Sequence, residues 1–281
     1  MVVQLPPIFQ KMYEQYQIPF EIHPGFMLLP SNTHNAITHS SNNNNIKSHE
    51  NQQEDVTGVM HKPIALTVPL LQQQVQFTVD EIVATAGTTT SATMSHKIIP
   101  ERRQTAWEGD DDVSGFQYSG KVMKRYPWSE SVLQTRNVLQ DRLFGTKTNT
   151  NTTTTTTYYD GCLINLYDHS NSGMRYHSDP DQGTIWDYDT TVVSVGASRK
   201  FAFRSTRSSS SNNNQQEQQS SSLPYQQQQQ PHTFVVMDGD ITHMYHDCQQ
   251  RYQHTVKKAE DPNEMALRAS LVFKRTLSQT K

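Results

Sequence analysis

Between Asp160 and Asp181 the chain reads DGCLINLYDHSNSGMRYHSDPD. Two patterns of period two lie inside it. Leu163, Asn165 and Tyr167 alternate with other residues, and so do His177 and Asp179. Alternate residues of a strand point to one face, so one strand offers an amide and a phenol to a pocket while a second segment offers an imidazole and a carboxylate. A His-x-Asp pair lacks only a distant histidine to complete a 2-His-1-carboxylate facial triad, a donor set that holds Fe(II) and leaves coordination positions open.

The third donor must come from later in the chain, where His232, His243, His246 and His254 are the candidates. His254 is preferred. It lies in RYQHTVKK, after a turn and before the last strand, and a few strands separate it from His177 once the intervening polar tract is set aside. His243 and His246 stand closer to the Gly239-Asp240 turn and are the reserves. The last strand, LRASLVFK, places Arg268, Ser270, Val272 and Lys274 on one face. A cation there suits the carboxylate of a bound oxo acid.

The elements that must position these residues are read from pattern. Pro6 to Gln17 has helical spacing, with Ile8, Phe9, Met12, Tyr13 and Tyr16 apolar. Phe20 to Leu29 and Pro63 to Phe77 are β-prone, and Thr78 to Thr85 has the look of a helical turn. Ser129 to Phe144 reads as a helix, capped by Ser129, with Val132, Leu133, Leu139, Leu143 and Phe144 as its apolar stripe and Gly145 at its end. Val192 to Phe203, Thr233 to Met237 and Leu267 to Phe273 have the β-branched and aromatic content of strands. Many short strands with turn punctuation predict a mainly β sandwich or jelly roll with flanking helices.

Polar tracts separate these elements without interrupting them. Residues 1–57 form an N-terminal extension with a polar tract, Ser31 to Asp55, rich in Asn, Ser, His and Gln. Residues 58–281 form one domain, with low-complexity insertions at 146–157 and 205–231. Loop-closure entropy grows only logarithmically with length, so such insertions read as lengthened surface loops. They also account for a hydrophobic content of 33% and a mean hydropathy of −0.75.

Charge and composition narrow the function classes. A net charge of −3 gives no global field to attract a polyanion, so any nucleic-acid binding must use a local patch. Arg102 to Trp128 offers one, interleaving Trp107, Phe116, Tyr118, Tyr126 and Trp128 with Lys121, Lys124 and Arg125. Two cysteines, Cys162 and Cys248, are too few for a disulfide framework and fit a reducing compartment. There is no basic-then-apolar secretory start and no apolar run near the ~18 residues of a membrane span. The expected setting is intracellular: nucleus, cytoplasm or an organelle. No obligate protein partner is evident.

In this order RQTAWEG, FQYSG, CLINLY, MRYHSDPD, SVGASRKFAFR, GD, RYQHTVKK and RASLVFK resemble the AlkB-like family of 2-oxoglutarate- and Fe(II)-dependent dioxygenases, from about Arg102 to Lys274. The resemblance implies a double-stranded β-helix, or jelly roll, with Fe(II), 2-oxoglutarate and O2 as cofactors. It implies His177, Asp179 and His254 as iron ligands. Asn165 and Tyr167 would hydrogen-bond the cosubstrate beside Leu163, and Arg268, Ser270 and Lys274 would stand in the family's Arg-x-Asn-x-Thr-x-Arg strand. Asp181 would touch the amine edge of a substrate base, and Trp107 and Tyr118 would belong to the nucleotide-recognition lid. Here Ser270 replaces Asn, Val272 replaces Thr and Lys274 replaces the second Arg, a point charge where the family has a planar fork. The implied reaction is oxidative demethylation of N-alkylated nucleobases in DNA or RNA, single-stranded or with the base flipped out, releasing formaldehyde, succinate and CO2. The alternatives are the same oxygenase chemistry on a protein, lipid or small molecule, or an inactive binding module of the same fold.

Overall fold

The computed structural model describes residues 17–28, 64–70, 74–79, 90–93, 97–118, 120–144, 158–206 and 230–277. The proposed helix before Gln17, the helical turn after Val79 and the polar tracts at 31–55, 146–157 and 207–229 lie outside the described residues. In chain order the first strands are β1 (Phe20–His23), β2 (Ala65–Pro69), β3 (Gln74–Thr78), β4 (Thr90–Thr93), β5 (Lys97–Pro100), β6 (Gln104–Gly109), β7 (Phe116–Tyr118), β8 (Lys121–Met123) and β9 (Arg125–Tyr126). Helix α1 (Glu130–Phe144) leads into β10 (Gly161–Tyr167), β11 (Thr190–Gly196), β12 (Arg199–Ser205), β13 (His232–Val236) and β14 (Ile241–Met244). A short helix, α2 (Cys248–Arg251), precedes β15 (Tyr252–Val256) and β16 (Arg268–Lys274).

A seven-stranded sheet runs β1-β14-β11-β16-β10-β6-β9, and a three-stranded sheet runs β13-β12-β15. The segment before Asp179 extends the small sheet: Met174 N–H donates to Val256 O at 2.9 Å, and His177 and His254 exchange backbone bonds at 3.1 and 2.8 Å. The two sheets face each other as a jelly roll, one of the two architectures the strand pattern allows and the one the family resemblance implies.

Period two then sorts the side chains. On β10, Cys162, Ile164 and Leu166 pack outward with Val193 and Val195 of β11 and Ala269, Leu271 and Phe273 of β16. This outer core is covered by Val132, Leu139 and Leu143 of α1 and by the β2–β3 hairpin. The inner faces carry Leu163, Tyr167, Val192 and Val272 against Phe201 and Phe203 of the small sheet. Chemistry therefore sits between the sheets and stability is concentrated behind the larger one. Ser129 stands directly before α1, where the sequence places its cap, and its carbonyl accepts from the Leu133 N–H at 3.0 Å. Its hydroxyl and its backbone N–H both donate to Glu108 Oε2, at 3.1 and 3.0 Å, because the carboxylate of Glu108, buried on β6, is the stronger acceptor.

Candidate active site

His177, Asp179 and His254 converge, their ligand atoms all within 4.8 Å of one another. Asp179 Oδ1 lies 3.7 Å from His177 Nε2 and 3.5 Å from His254 Nε2. His177 Nδ1 lies 2.9 Å from the Arg175 carbonyl. A carbonyl only accepts, so the ring's proton is on Nδ1 and Nε2 keeps its lone pair. The His254 ring lies parallel to Phe201, centroids 5.7 Å apart, and burial, aided by His177, pushes its pKa down to about 3. A neutral imidazole is the ligand form. Burial alone would raise Asp179, but the Lys274 ammonium and, once protonated, both histidines outweigh it and hold the carboxyl well below its ordinary value. Two neutral imidazoles and one carboxylate are the donor set that suits Fe(II).

The other carboxylate oxygen is also fixed. Lys274 Nζ donates to Asp179 Oδ2 at 2.6 Å and lies 3.4 Å from Thr190 Oγ1. Lys274 is 1% exposed. Its charge is spent on the metal-side carboxylate, so Oδ1 alone turns toward the histidines. The Asp179 backbone N–H donates to Gln249 Oε1 of α2 at 2.8 Å, which anchors the segment from below.

An open-mouthed pocket adjoins the triad, with a free volume of about 520 Å³ including the solvent at its mouth. Leu163, Asn165, Tyr167 and Ser270 line it as their spacing predicts. Asn165 Nδ2 donates to Ser270 Oγ at 3.3 Å. Beside Tyr167 lies Arg268, fully buried, its guanidinium carbon 5.9 Å from the ring centroid. Its bonds go to Ser194 Oγ at 3.0 Å and Ala197 O at 3.3 Å, and its Nε has no hydrogen-bond partner among the described residues. Burial pushes its pKa down to about 10, so it stays protonated near neutrality. A buried guanidinium with no carboxylate within ion-pairing distance, among the described residues, fits the far carboxylate of an oxo diacid.

The remaining candidates are dispersed. Tyr118 lines the pocket, its hydroxyl donating to Glu101 Oε1 at 2.6 Å. Trp107 is buried and does not line it. Its Nε1 donates to Ser114 O at 2.9 Å, and its indole backs Phe116 with centroids 4.9 Å apart. Asp181 is exposed and off the pocket wall. Its φ is +57°, and its backbone carbonyl gathers the N–H groups of Thr184, Ile185 and Trp186 into a turn. Nor are two of the three expected phosphate contacts free. Lys121 is bonded to Thr105 Oγ1 at 2.7 Å and lies 3.5 Å from Glu101. Arg125 is bonded to Gly109 O at 3.0 Å and lies 3.2 Å from Asp111. His243, a reserve for the triad, faces the outer core, where it bonds Asp189 Oδ1 at 2.7 Å. His232 and His246 are exposed.

Sequence reasoning missed Arg103, which lines the pocket and donates from Nε to Asn165 Oδ1 at 2.8 Å. The only available signal was its place one residue before β6, whose Thr105 and Trp107 share the inward face.

A jelly roll holding this triad is the architecture of an Fe(II)-dependent oxygenase. The sequence matches the 2OG-Fe(II) oxygenase superfamily over residues 58–275, and the protein belongs to that superfamily. An uncharacterized protein of Acanthamoeba polyphaga mimivirus is 28% identical over 173 residues, 62% of this chain and 73% of the relative. Among solved structures, OsALKBH1 is similar at 13% identity and a TM-score of 0.38, covering 67% of this chain and 85% of that one.

Proposed function

We propose that this oxygenase removes N-linked methyl groups from nucleobases in DNA or RNA. The observation that carries the reading is the aromatic corner at the pocket, where Phe116 and Tyr118 stand 5.7 Å apart by centroid beside the triad. A planar ring is the ligand such walls accept, and a base must leave the duplex to reach them. The ordered AlkB-type motifs support the same reading.

His177, Asp179 and His254 would hold the iron, and Lys274 keeps Asp179 turned to it. Arg268 would receive the far carboxylate of 2-oxoglutarate, with Asn165, Ser270 and Tyr167 along its length. Iron bound there supplies the oxidative chemistry: the oxo acid ends as succinate and CO2, and the hydroxylated methyl leaves nitrogen as formaldehyde. Leu163, Val192 and Phe201 give the pocket an apolar wall.

The test is formaldehyde release from single-stranded oligonucleotides carrying methylated bases, with Fe(II), 2-oxoglutarate and ascorbate. Release is expected from the wild type and none from His177→Ala. A second reading, the same chemistry on a protein, lipid or small molecule, is favoured by the internal pairing of Lys121 and Arg125. Iron-dependent succinate formation with no formaldehyde from any methylated oligonucleotide would establish it instead. Loss of both products would leave a binding module.

A further inference from the structure

Arg103 is the one cation on the pocket wall among the described residues. Its Nε is bonded to Asn165, while its two terminal nitrogens have no hydrogen-bond partner and no carboxylate within ion-pairing distance among the described residues. The guanidinium carbon lies 5.8 Å from the Tyr118 ring centroid. Burial raises the pKa of Tyr118, and the Arg103 charge opposes that rise.

The wall it dominates offers donors and few acceptors. Asp179 is the only carboxylate residue lining the pocket among the described residues, and it is engaged by Lys274 and the two histidines. Asn165 Oδ1 is taken by Arg103 itself, and the Tyr118 hydroxyl gives its proton to Glu101. Asp181, the residue expected to accept from a base's amino group, is exposed and off the wall. An arginine has donors only and a permanent charge.

Resting on the nucleobase reading above, the geometry points to Arg103 as the specificity residue of this pocket, selecting methylated bases that stay neutral over those that methylation makes cationic. Methylation at N3 of thymine or uracil, or at N1 of guanine, leaves a neutral ring with a carbonyl beside the methyl. The carbonyl accepts from the Arg103 guanidinium. Methylation at N1 of adenine or N3 of cytosine makes the ring a cation; 3-methylcytosine keeps a carbonyl at C2, but no unengaged carboxylate lines the pocket to offset the charge, and the like charge of Arg103 opposes its entry. The reaction balances as for any N-methyl substrate. One atom of O2 enters a methyl C–H bond and the other ends in succinate. The C–N bond of the hydroxymethyl then breaks to give formaldehyde, and the ring nitrogen keeps the electron pair and takes a proton.

The experiment presents 3-methylthymine, 1-methylguanine, 3-methylcytosine and 1-methyladenine in one single-stranded sequence context. It measures kcat/KM for each, and equilibrium binding to the Mn(II)-loaded protein without O2. For the wild type, 3-methylthymine is expected to exceed 3-methylcytosine about tenfold, equal to about 1.4 kcal/mol of transition-state binding. Arg103→Gln should bring that ratio toward one in both kinetics and binding, Arg103→Glu should invert it, and Arg103→Lys should keep its direction. Succinate formed without substrate verifies that each variant retains an intact site. A wild type that prefers the cationic bases, or a ratio unmoved in Arg103→Gln, overturns this inference and leaves demethylation standing. If no methylated base is bound or demethylated while succinate still forms, the nucleobase reading itself fails.

Discussion

Asp179 is shared between a metal site and an ammonium, and that division has a measurable consequence. Lys274 fixes Oδ2 at 2.6 Å from within the protein, where a carboxylate left without this partner would be free to rotate and would carry an uncompensated charge. Partners that orient a metal ligand in this way are worth about 10–100-fold in metal affinity. Lys274→Met should therefore weaken Fe(II) or Mn(II) binding by about that factor, read by titration of the metal, with the β-sheet circular dichroism unchanged. A lysine suffices because the contact is one bond to one oxygen, not a planar two-point grip. The His-x-Asp spacing was legible in the sequence, since period two needs only a strand. That Lys274 serves the metal ligand directly was not, because β16 meets the Asp179 segment only in three dimensions.

The strands and turns that carry these residues are closely fitted, and substitutions can reveal it. Gly161 opens β10 opposite Gly109 of β6, and a Cβ there would run into the Trp107 indole. Gly161→Ala is expected to cost about 1–3 kcal/mol by overpacking, measured as a lower denaturant midpoint with an unchanged slope. The turn between β13 and β14 uses two carboxylates. Asp238 Oδ1 accepts from Gly196 N–H at 2.9 Å, and Asp240 accepts from the Gly25 and Met237 N–H groups, both at 2.7 Å. Burial pushes Asp238 up to about 6, against the opposing pull of the Gly196 N–H and Arg268. Its folded pKa stands above the unfolded value of about 3.9. Its contribution is thus fully present below about pH 4 and lost as pH rises through 6. Asp238→Asn, which keeps the acceptor and removes the titration, should raise Tm at pH 7.5 and leave it unchanged at pH 4. An equal gain at both pH values would show that charge is not the cause. The Gly239-Asp240 turn and the alternation of Leu267 to Phe273 were readable from residue types. That the Ser129 hydroxyl also reaches Glu108 was not readable, because that acceptor comes from a strand 21 residues earlier.

For the whole molecule, the long tract before β13 tests how separable the domain is from its low-complexity sequence. Phe203 of β12 is paired with His232 of β13, so the tract spans two adjacent strand ends. Replacing residues 207–229 by a short Gly/Asn turn should stabilise the fold by about 1–2 kcal/mol from loop-closure entropy alone and leave iron-dependent succinate formation intact. A large loss of stability would show that the tract packs on the domain. By itself the sequence determined the mainly β class, the inward faces of β10 and β16, and the His-x-Asp pair, because each follows from a local period of two and from turn residues. Tertiary structure decided the rest. It brought His254 beside His177 by backbone pairing and turned His243 to the outer core. It sank Trp107 one layer behind Phe116 and left Asp181 in solvent. It spent Lys121 and Arg125 on internal partners and set Arg103 on the pocket wall. The physical reason is common to these placements: which side chain a charge or ring meets depends on how strands distant in sequence are brought together, and no local period encodes that.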